Sequence, residues 1–161
     1  SRWSPSSCSS DWPQRNTMGL THSWLRPTEL PTEAFAAAVR DVQRVLKDAN
    51  IPLAGFEGHG PPVFLDDAIV FNGVAGAACE PFEIHQVEFD RRGRAEKFSF
   101  CKTEGLPYDL AVKAALVVFK HHFGEAIKVM SDESNEAWDR ARETVNKIMG
   151  FGSDFKLDPK L

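Results

Sequence analysis

The segment from Leu110 to Phe119 constrains the fold most, because a helix built from it is apolar on almost every side. Lys113 and Lys120 interrupt the apolar residues, and their spacing of seven residues puts them on one narrow stripe of a helix. The remaining sides of such a helix have to be covered by the rest of the protein. We therefore expect a central helix that begins at Pro107, ends near Gly124 and exposes only the two lysines.

Hydrophobic periodicity predicts two further helices. Apolar residues recur at helical spacing from about 32 to 48, with charged residues on the opposite side. A third helix is expected after Asp132 or Ser134, either of which is a suitable N-cap, and Gly150 marks its end.

The strands are predicted from short runs of aromatic and β-branched residues, at 20–25, 63–71, 82–89, 97–103 and 126–130. The run 63–71 is either two strands that meet at Asp66-Asp67 or one bulged strand. The next two runs flank Asp90–Gly93, so we expect them to form a hairpin with Gly93 at positive φ and a bulge near His85. Phe98 and Phe100 alternate with small residues, which predicts that one face of their strand is buried.

These elements follow in the order β-α-β-β-β-α-β-α. That order predicts an α+β fold, in which a mostly antiparallel sheet of about four to five strands packs against three helices. With 161 residues, 42% of them apolar, the chain is expected to form a single domain over residues 19–161.

Residues 1–18 are expected to lie outside this domain as a tail or extension, since they are rich in serine and proline and lack a helical or strand period. Met18 followed by GLTHSW has the form of an original start. Trp3 and Trp12 are the residues with which the tail would dock on the core or on a neighbour. A protein partner or self-association through this tail is therefore one expectation.

Charge and cysteine content limit the classes of partner. The net charge of -4 argues against nucleic acid, and no apolar run is long enough for a membrane span. Three cysteines without paired spacing favour a reducing, cytoplasmic location, and predict neither a metal nor a cofactor. If residues 1–17 are the remnant of a transit peptide, the location would instead be an organelle matrix.

The turn from 101 to 109 is the candidate pocket, because a strand, a turn containing Gly105 and a helix N-terminus follow one another there. Cys101 would be the nucleophile, His85 its base and Lys102 a source of charge. Thr103, Tyr108 and Asp109 complete the pocket. A structural turn with a buried cysteine is the competing interpretation, and it agrees better with the usual burial of cysteine.

Other residues that could bind a ligand or a metal ion are expected to have structural roles. His22 and Trp24 share one face of the first strand, where core packing is favoured over ligand stacking. His121 and His122 diverge on a helix and suit its C-terminus better than a metal ion. The chain has no nucleotide-binding, metalloprotease or nucleophile-elbow motif.

Four stretches carry a resemblance to known sequences: LTHSW near the start, VFNG at 70–73, FCKTEGLPYDLAVKAALVVFKHHFG at 100–124 and GFGSDFKLD at 150–158. Together they resemble a family of small, uncharacterised single-domain proteins. The resemblance spans about residues 19–158, and it implies a single domain that starts near Met18. It implies no activity.

The sequence therefore favours a non-catalytic module that binds a protein partner or builds an assembly. The alternative is a small enzyme that uses Cys101, His85 and Lys102 in the turn pocket. The two hypotheses differ in whether those three side chains converge on an open cleft.

Overall fold

The computed structural model describes residues 20–161. The expected tail, with Trp3 and Trp12, lies outside this range. The elements are β1 (Thr21–Pro27), α1 (Thr32–Asp48), β2 (Val63–Leu65), β3 (Ala68–Phe71), β4 (Phe82–His85), β5 (Glu96–Lys102), α2 (Asp109–Phe123), β6 (Lys128–Ser131) and α3 (Asp139–Met149), with short 3-10 turns at Gly124–Ala126 and Asn135–Trp138. The α+β class and the three helices agree with the prediction, and the residues 63–71 form two strands.

The strands form two sheets rather than the single sheet that was expected. The described residues contain one antiparallel sheet in the order β5-β1-β6 and a second in the order β2-β3-β4. In the second sheet Phe71 pairs with Phe82 and Ile69 pairs with Ile84, and all four side chains are buried. This matched apolar face pairs β4 with β3 and so leaves β4 at the edge of its sheet.

The predicted hairpin between β4 and β5 is wrong, because β4 pairs with β3 instead. β5 pairs with β1, with Cys101 opposite His22 and Phe98 opposite Leu25. The turn itself is present, since the N–H of Gly93 donates to the carbonyl of Asp90 and Gly93 has a φ of 71°. The turn thus reverses the chain after residue 89 without pairing the two predicted strands.

The buried face of β5 is the one that carries Cys101, and not the one that carries the phenylalanines. Phe98 and Phe100 are 47% and 57% exposed, whereas Cys101 is fully buried. The neighbouring strand β1 directs the side chains of Trp24 and His22 into the core, opposite Ser99 and Cys101. Because these large side chains fill the interior, only small residues fit next to them on β5.

Helix α2 is the buried centre of the fold, as predicted, and every residue from Ala111 to Phe119 is buried. It contacts both α1 and α3. The expected exposed stripe is wrong at Lys113, which is only 7% exposed because acidic side chains enclose its ammonium group. Lys120 is half-buried and pairs with Asp158. No helix in the described range is both long and apolar enough to cross a membrane.

Asn72 joins the two loops that flank the second sheet. Its Nδ2 donates to the carbonyls of Phe56 and Cys79 at 3.0 and 2.8 Å, and its Oδ1 accepts from the N–H of Gly73 and of Cys79. A Cβ at Gly73 would collide with the carbonyl of Ala77 and lie 3.0 Å from the ring of Tyr108. The close approach of these loops therefore requires glycine at this position.

We predict that Gly73→Ala destabilises the protein by roughly 3 kcal/mol or more, because the backbone around Ala77 has to shift. Gly93→Ala is the matched control. A Cβ there meets nothing within 4 Å, and only the φ of 71° opposes it, for about 1 kcal/mol. Urea denaturation of both variants measures the difference. Equal losses in the two would contradict the tight approach at Gly73.

Candidate functional site

Cys101 is enclosed in the core and is not a reactive thiol. Its Sγ donates to the carbonyl of Glu80 at 3.3 Å. Burial raises the pKa of this thiol well above its usual range, and the charges of Glu80 and Asp109 raise it further. A nucleophilic cysteine needs the opposite shift, because only the thiolate attacks.

His85 and Lys102 do not join Cys101 in a cleft. The Nε2 of His85 lies 2.8 Å from Glu83 on the exposed side of β4, and Lys102 pairs with Glu104 at 3.2 Å. Within residues 20–161, no hydrogen bond or ion pair links His85 to either of the other two residues. The geometry proposed for an enzyme at 101–109 is therefore absent for this trio.

Tyr108 has a structural contact in the same turn. Its hydroxyl donates to the carbonyl of Glu80 at 2.5 Å, and burial raises the pKa of this phenol. Glu80 in turn accepts the N–H of Lys102 at 2.9 Å through Oε1. These contacts fix the end of β5 against the loop that precedes β4.

Thr103 and Asp109 belong to a buried polar cluster that the sequence did not predict as a unit. His22 contacts Asp109 Oδ1 through Nε2 at 2.7 Å and Ser131 Oγ through Nδ1 at 2.8 Å. The hydroxyl of Thr103 donates to the same Oδ1 at 2.5 Å. Asp109 therefore joins β1 and the end of β5 to the start of α2, and His22 extends the cluster to β6.

Lys113 and Glu133 supply the remaining charges of this cluster. The Nζ of Lys113 lies 3.1 Å from Asp109 Oδ2 and 2.7 Å from Glu133 Oε1, and it donates to the carbonyl of Ala137 at 3.0 Å. The indole of Trp138 packs edge-on against His22 and lies under the ammonium group. A buried cation with three oxygen partners is held in a fixed position.

The protonation of Asp109 follows from these contacts. Burial opposes its charge and would raise its pKa. The hydrogen bond from His22, the charge of Lys113 and the hydroxyl of Thr103 outweigh burial and lower that pKa to about 2. Asp109 is thus ionised at neutral pH and accepts hydrogen bonds only. The proton between it and His22 consequently resides on Nε2.

Hydrogen bonds link Ser131 to His22 and His22 to Asp109, in the order of serine, histidine and aspartate in a hydrolase, but the serine is largely buried. Ser131 is 7% exposed and lies beside His22, which is fully buried. Its Oγ also accepts the N–H of Glu133 at 3.0 Å. A nucleophile has to reach a substrate carbonyl from an open cleft. The chain of hydrogen bonds connects β6 and β1 to the start of α2.

The ligand atoms of His22, Asp109 and Glu133 lie within 4.8 Å of one another, as in a metal site. A divalent cation would have to come within about 2.0–2.2 Å of these atoms. The ammonium of Lys113 is already within hydrogen-bond distance of both carboxylates. It supplies the positive charge that a metal would otherwise provide, and the donor set does not favour an ion in addition to it.

Sequence reasoning missed Lys113, Ser131 and Glu133 as members of this cluster. One signal was present, because Asp109 and Lys113 are four residues apart in an otherwise apolar helix, which is the spacing of an intrahelical ion pair. Ser131 and Glu133 come from a distant segment, and no local pattern brings them to His22.

A surface groove lies between the free edges of the two sheets, and we call it the edge groove. It has a volume of about 580 Å³ and is lined by Pro81, Glu83 and His85, by Glu88 and Phe89, and by the residues of β5 from Lys97 to Phe100. β4 is the edge strand of one sheet and β5 is the edge strand of the other. The groove therefore offers strand edges on both sides.

The two sheets are held together at the ends of the groove. At one end, the N–H of Glu80 donates to the carbonyl of Lys102 at 3.1 Å. At the other end, the buried guanidinium of Arg26 donates to the carbonyls of His85 and Gln86 and pairs with Glu88 at 3.0 Å. These contacts fix the ends of the groove, and among residues 20–161 they leave its middle open.

Three phenylalanines border the edge groove, and all are exposed. Phe89 is 83% exposed, and the rings of Phe98 and Phe100 are 6.4 Å apart. A second hollow of about 460 Å³ lies on the far side of Phe98 and Phe100, and it reaches Met130 and Leu161. The two phenylalanines thus form a ridge between two hollows.

Comparison with protein-family models, with curated proteins and with solved structures finds no match to this chain. The resemblance to a family of small single-domain proteins therefore stays a prediction.

The cysteines of the structure do not support the expected cytoplasmic location. Cys79 is disulfide-bonded and Cys101 is a free, buried thiol. The argument for a reducing compartment rested on unpaired cysteines. The cytoplasmic location consequently stays a prediction.

We predict that Asp109→Asn lowers the free energy of unfolding by about 2–3 kcal/mol at pH 7, since it removes the charge that His22 and Lys113 stabilise. The folded-state pKa of about 2 is below the ordinary value, so this contribution is complete above about pH 4 and is lost as the pH falls towards 2. The difference between wild type and variant should shrink over that interval.

Urea denaturation at several pH values measures this dependence. Asp66→Asn, at an exposed position, is the matched control and should change stability by less than about 0.5 kcal/mol. A difference between wild type and Asp109→Asn that stays constant from pH 4 to pH 2 would contradict the assignment.

Proposed function

We propose that this protein is a non-catalytic protein-binding module, and that the edge groove takes up an extended segment of a partner polypeptide. The observation that carries the proposal is the exposure of Phe98 and Phe100 beside an open groove between two strand edges. Aromatic side chains of this size are normally buried when no partner covers them. An aromatic ridge at a sheet edge is typical of a binding surface.

The strand edges suggest how the partner binds. An edge strand has backbone N–H and C=O groups that point away from its neighbour, and an added strand satisfies them. In the edge groove, the edge of β5 lies on one side. On the other side lies β4, where the N–H and C=O of His85 are already bonded to Glu88 and Arg26. A segment in extended conformation is the form of polypeptide that fits this arrangement.

The side chains of the groove define what that segment should carry. Phe89, Phe98 and Phe100 supply apolar contacts for one or two aromatic or large aliphatic residues. Glu83 and Lys97 provide charges of opposite sign on the two sides. The segment we propose therefore combines an aromatic residue with charges of both signs.

The enzyme hypothesis has less support. Cys101 is buried with a raised pKa, and the His22 cluster is closed by its own ion pairs. No nucleic acid, membrane, metal or cofactor forms part of the proposal.

The test is a selection from a displayed library of random nonapeptides against the full chain. Extended sequences with a central aromatic residue should be enriched. Binding of the selected peptides should fall at least tenfold in the double variant Phe98→Ser with Phe100→Ser, because the aromatic contacts are lost. Both positions are exposed, so the fold should be retained.

Leu65→Ser is the matched control, since Leu65 is 55% exposed on the other sheet and does not line the groove. It should leave binding unchanged. Selected peptides that bind the double variant as tightly as wild type would exclude the edge groove as their site.

A further inference from the structure

The first sheet has a face that points away from the core, and we call it the outer face. Residues paired across neighbouring strands share a face, and Phe100 of β5, Ser23 of β1 and Met130 of β6 form one such row. Phe98 and Leu25 belong to the next row. Both phenylalanines are exposed, so this part of the outer face is uncovered among residues 20–161.

We propose that the outer face binds the outer face of a second copy of this chain, so that the protein forms a two-fold symmetric dimer. The inference goes beyond the proposed function, because it concerns the side of the aromatic ridge that faces away from the edge groove. Two sheets that pack face to face lie about 10 Å apart and keep their strands nearly aligned. The two-fold axis of this dimer runs along β1, so that β5 of each copy lies over β6 of the other.

The shape of the outer face fits this symmetry. The ridge of Phe98 and Phe100 is on β5, at one side of the sheet, and the second hollow extends from this ridge across Ser23 to Met130 and Leu161. An axis along β1 exchanges the two sides of the sheet, and the ridge of each copy therefore enters the hollow of the other. An axis across the strands would instead place one ridge on the other ridge.

The charges at the corners of the outer face fit the same axis. Lys102 pairs with Thr21 on one side, and on the other side the N–H of Asp132 donates to the carbonyl of Thr21. The axis along β1 thus brings Lys102 of each copy opposite Asp132 of the other. At the far end, Glu96 begins β5 and Lys128 begins β6, and the axis brings their long side chains within reach of each other. Every corner therefore meets a charge of opposite sign.

This self-complementarity indicates a second copy rather than an unrelated partner. An interface about a two-fold axis uses the same patch on both molecules, so a ridge and a hollow, and charges of both signs, have to be present on one surface. The outer face has all of these. Three short strands offer a contact at the small end of protein interfaces, and we therefore expect a weak dimer whose population depends on concentration.

Sedimentation equilibrium on the full chain tests the proposal with two charge reversals. Glu96→Lys places a lysine opposite Lys128 of the second copy, and Lys128→Glu places a glutamate opposite Glu96. Each variant alone should dimerise about tenfold more weakly than wild type, because like charges then face each other. An equimolar mixture of the two variants should recover the association, since each charge at that end again meets its opposite.

Asp66→Lys is the matched control, because it makes the same change of charge as Glu96→Lys at an exposed position between two strands of the other sheet. It should leave the association unchanged. Wild type that stays monomeric at its highest soluble concentration would overturn the proposal. A mixture that associates no better than either variant alone would also overturn it, because that result excludes an axis along β1.

The same variants separate the dimer from the protein-binding function. Glu96 and Lys128 do not line the edge groove, so the selected nonapeptides should bind both variants as tightly as wild type. Peptide binding without dimerisation would support the groove function and overturn the dimer. Dimerisation that follows the charges, without any selected peptide, would support the dimer and overturn the groove function.

Discussion

Asp109 is an ionised carboxylate enclosed by protein, and the rest of the structure is arranged to supply its partners. Its side chain is only 12% exposed, and its donors in the protein are His22, Thr103 and Lys113. These residues lie on the first strand, after the fifth strand and one turn along the central helix. A single buried charge consequently determines how the first sheet is oriented on α2, and an error in any of these segments would leave the charge unpaired.

The interior of the first sheet depends on the same arrangement. His22 points inward from β1, and so does Trp24, which contacts Phe82 of the second sheet at 5.2 Å between ring centres. With such large groups inside, the neighbouring strand contributes Ser99 and Cys101 to the core and turns its phenylalanines outward. The aromatic surface of the edge groove is thus a consequence of core packing on β1.

Local patterns in the sequence were sufficient for the helices and for the class of fold. The range of α1, the burial of α2 and the left-handed conformation of Gly93 and Gly150 all follow from spacing and residue type. Strand pairing did not follow, because the hairpin between β4 and β5 has a good turn but competes with better partners for both strands.

The predicted pocket at 101–109 was wrong for a related reason. His85 was expected beside Cys101 only because β4 and β5 were expected to pair. Thr103 and Asp109 instead belong to a cluster that is completed by Ser131 and Glu133, which are distant in sequence.

The cluster around Lys113 also limits which amino-acid substitutions this protein can accept in evolution. Its members contribute one cation, two carboxylates and an imidazole to a space with little access to solvent. Losing Lys113 alone would leave two carboxylates facing each other, and losing Glu133 alone would remove one of the counter-charges of the buried ammonium. Viable substitutions are therefore coupled, so that these positions would be replaced as a set, while the exposed ring at Phe89 is free to vary singly.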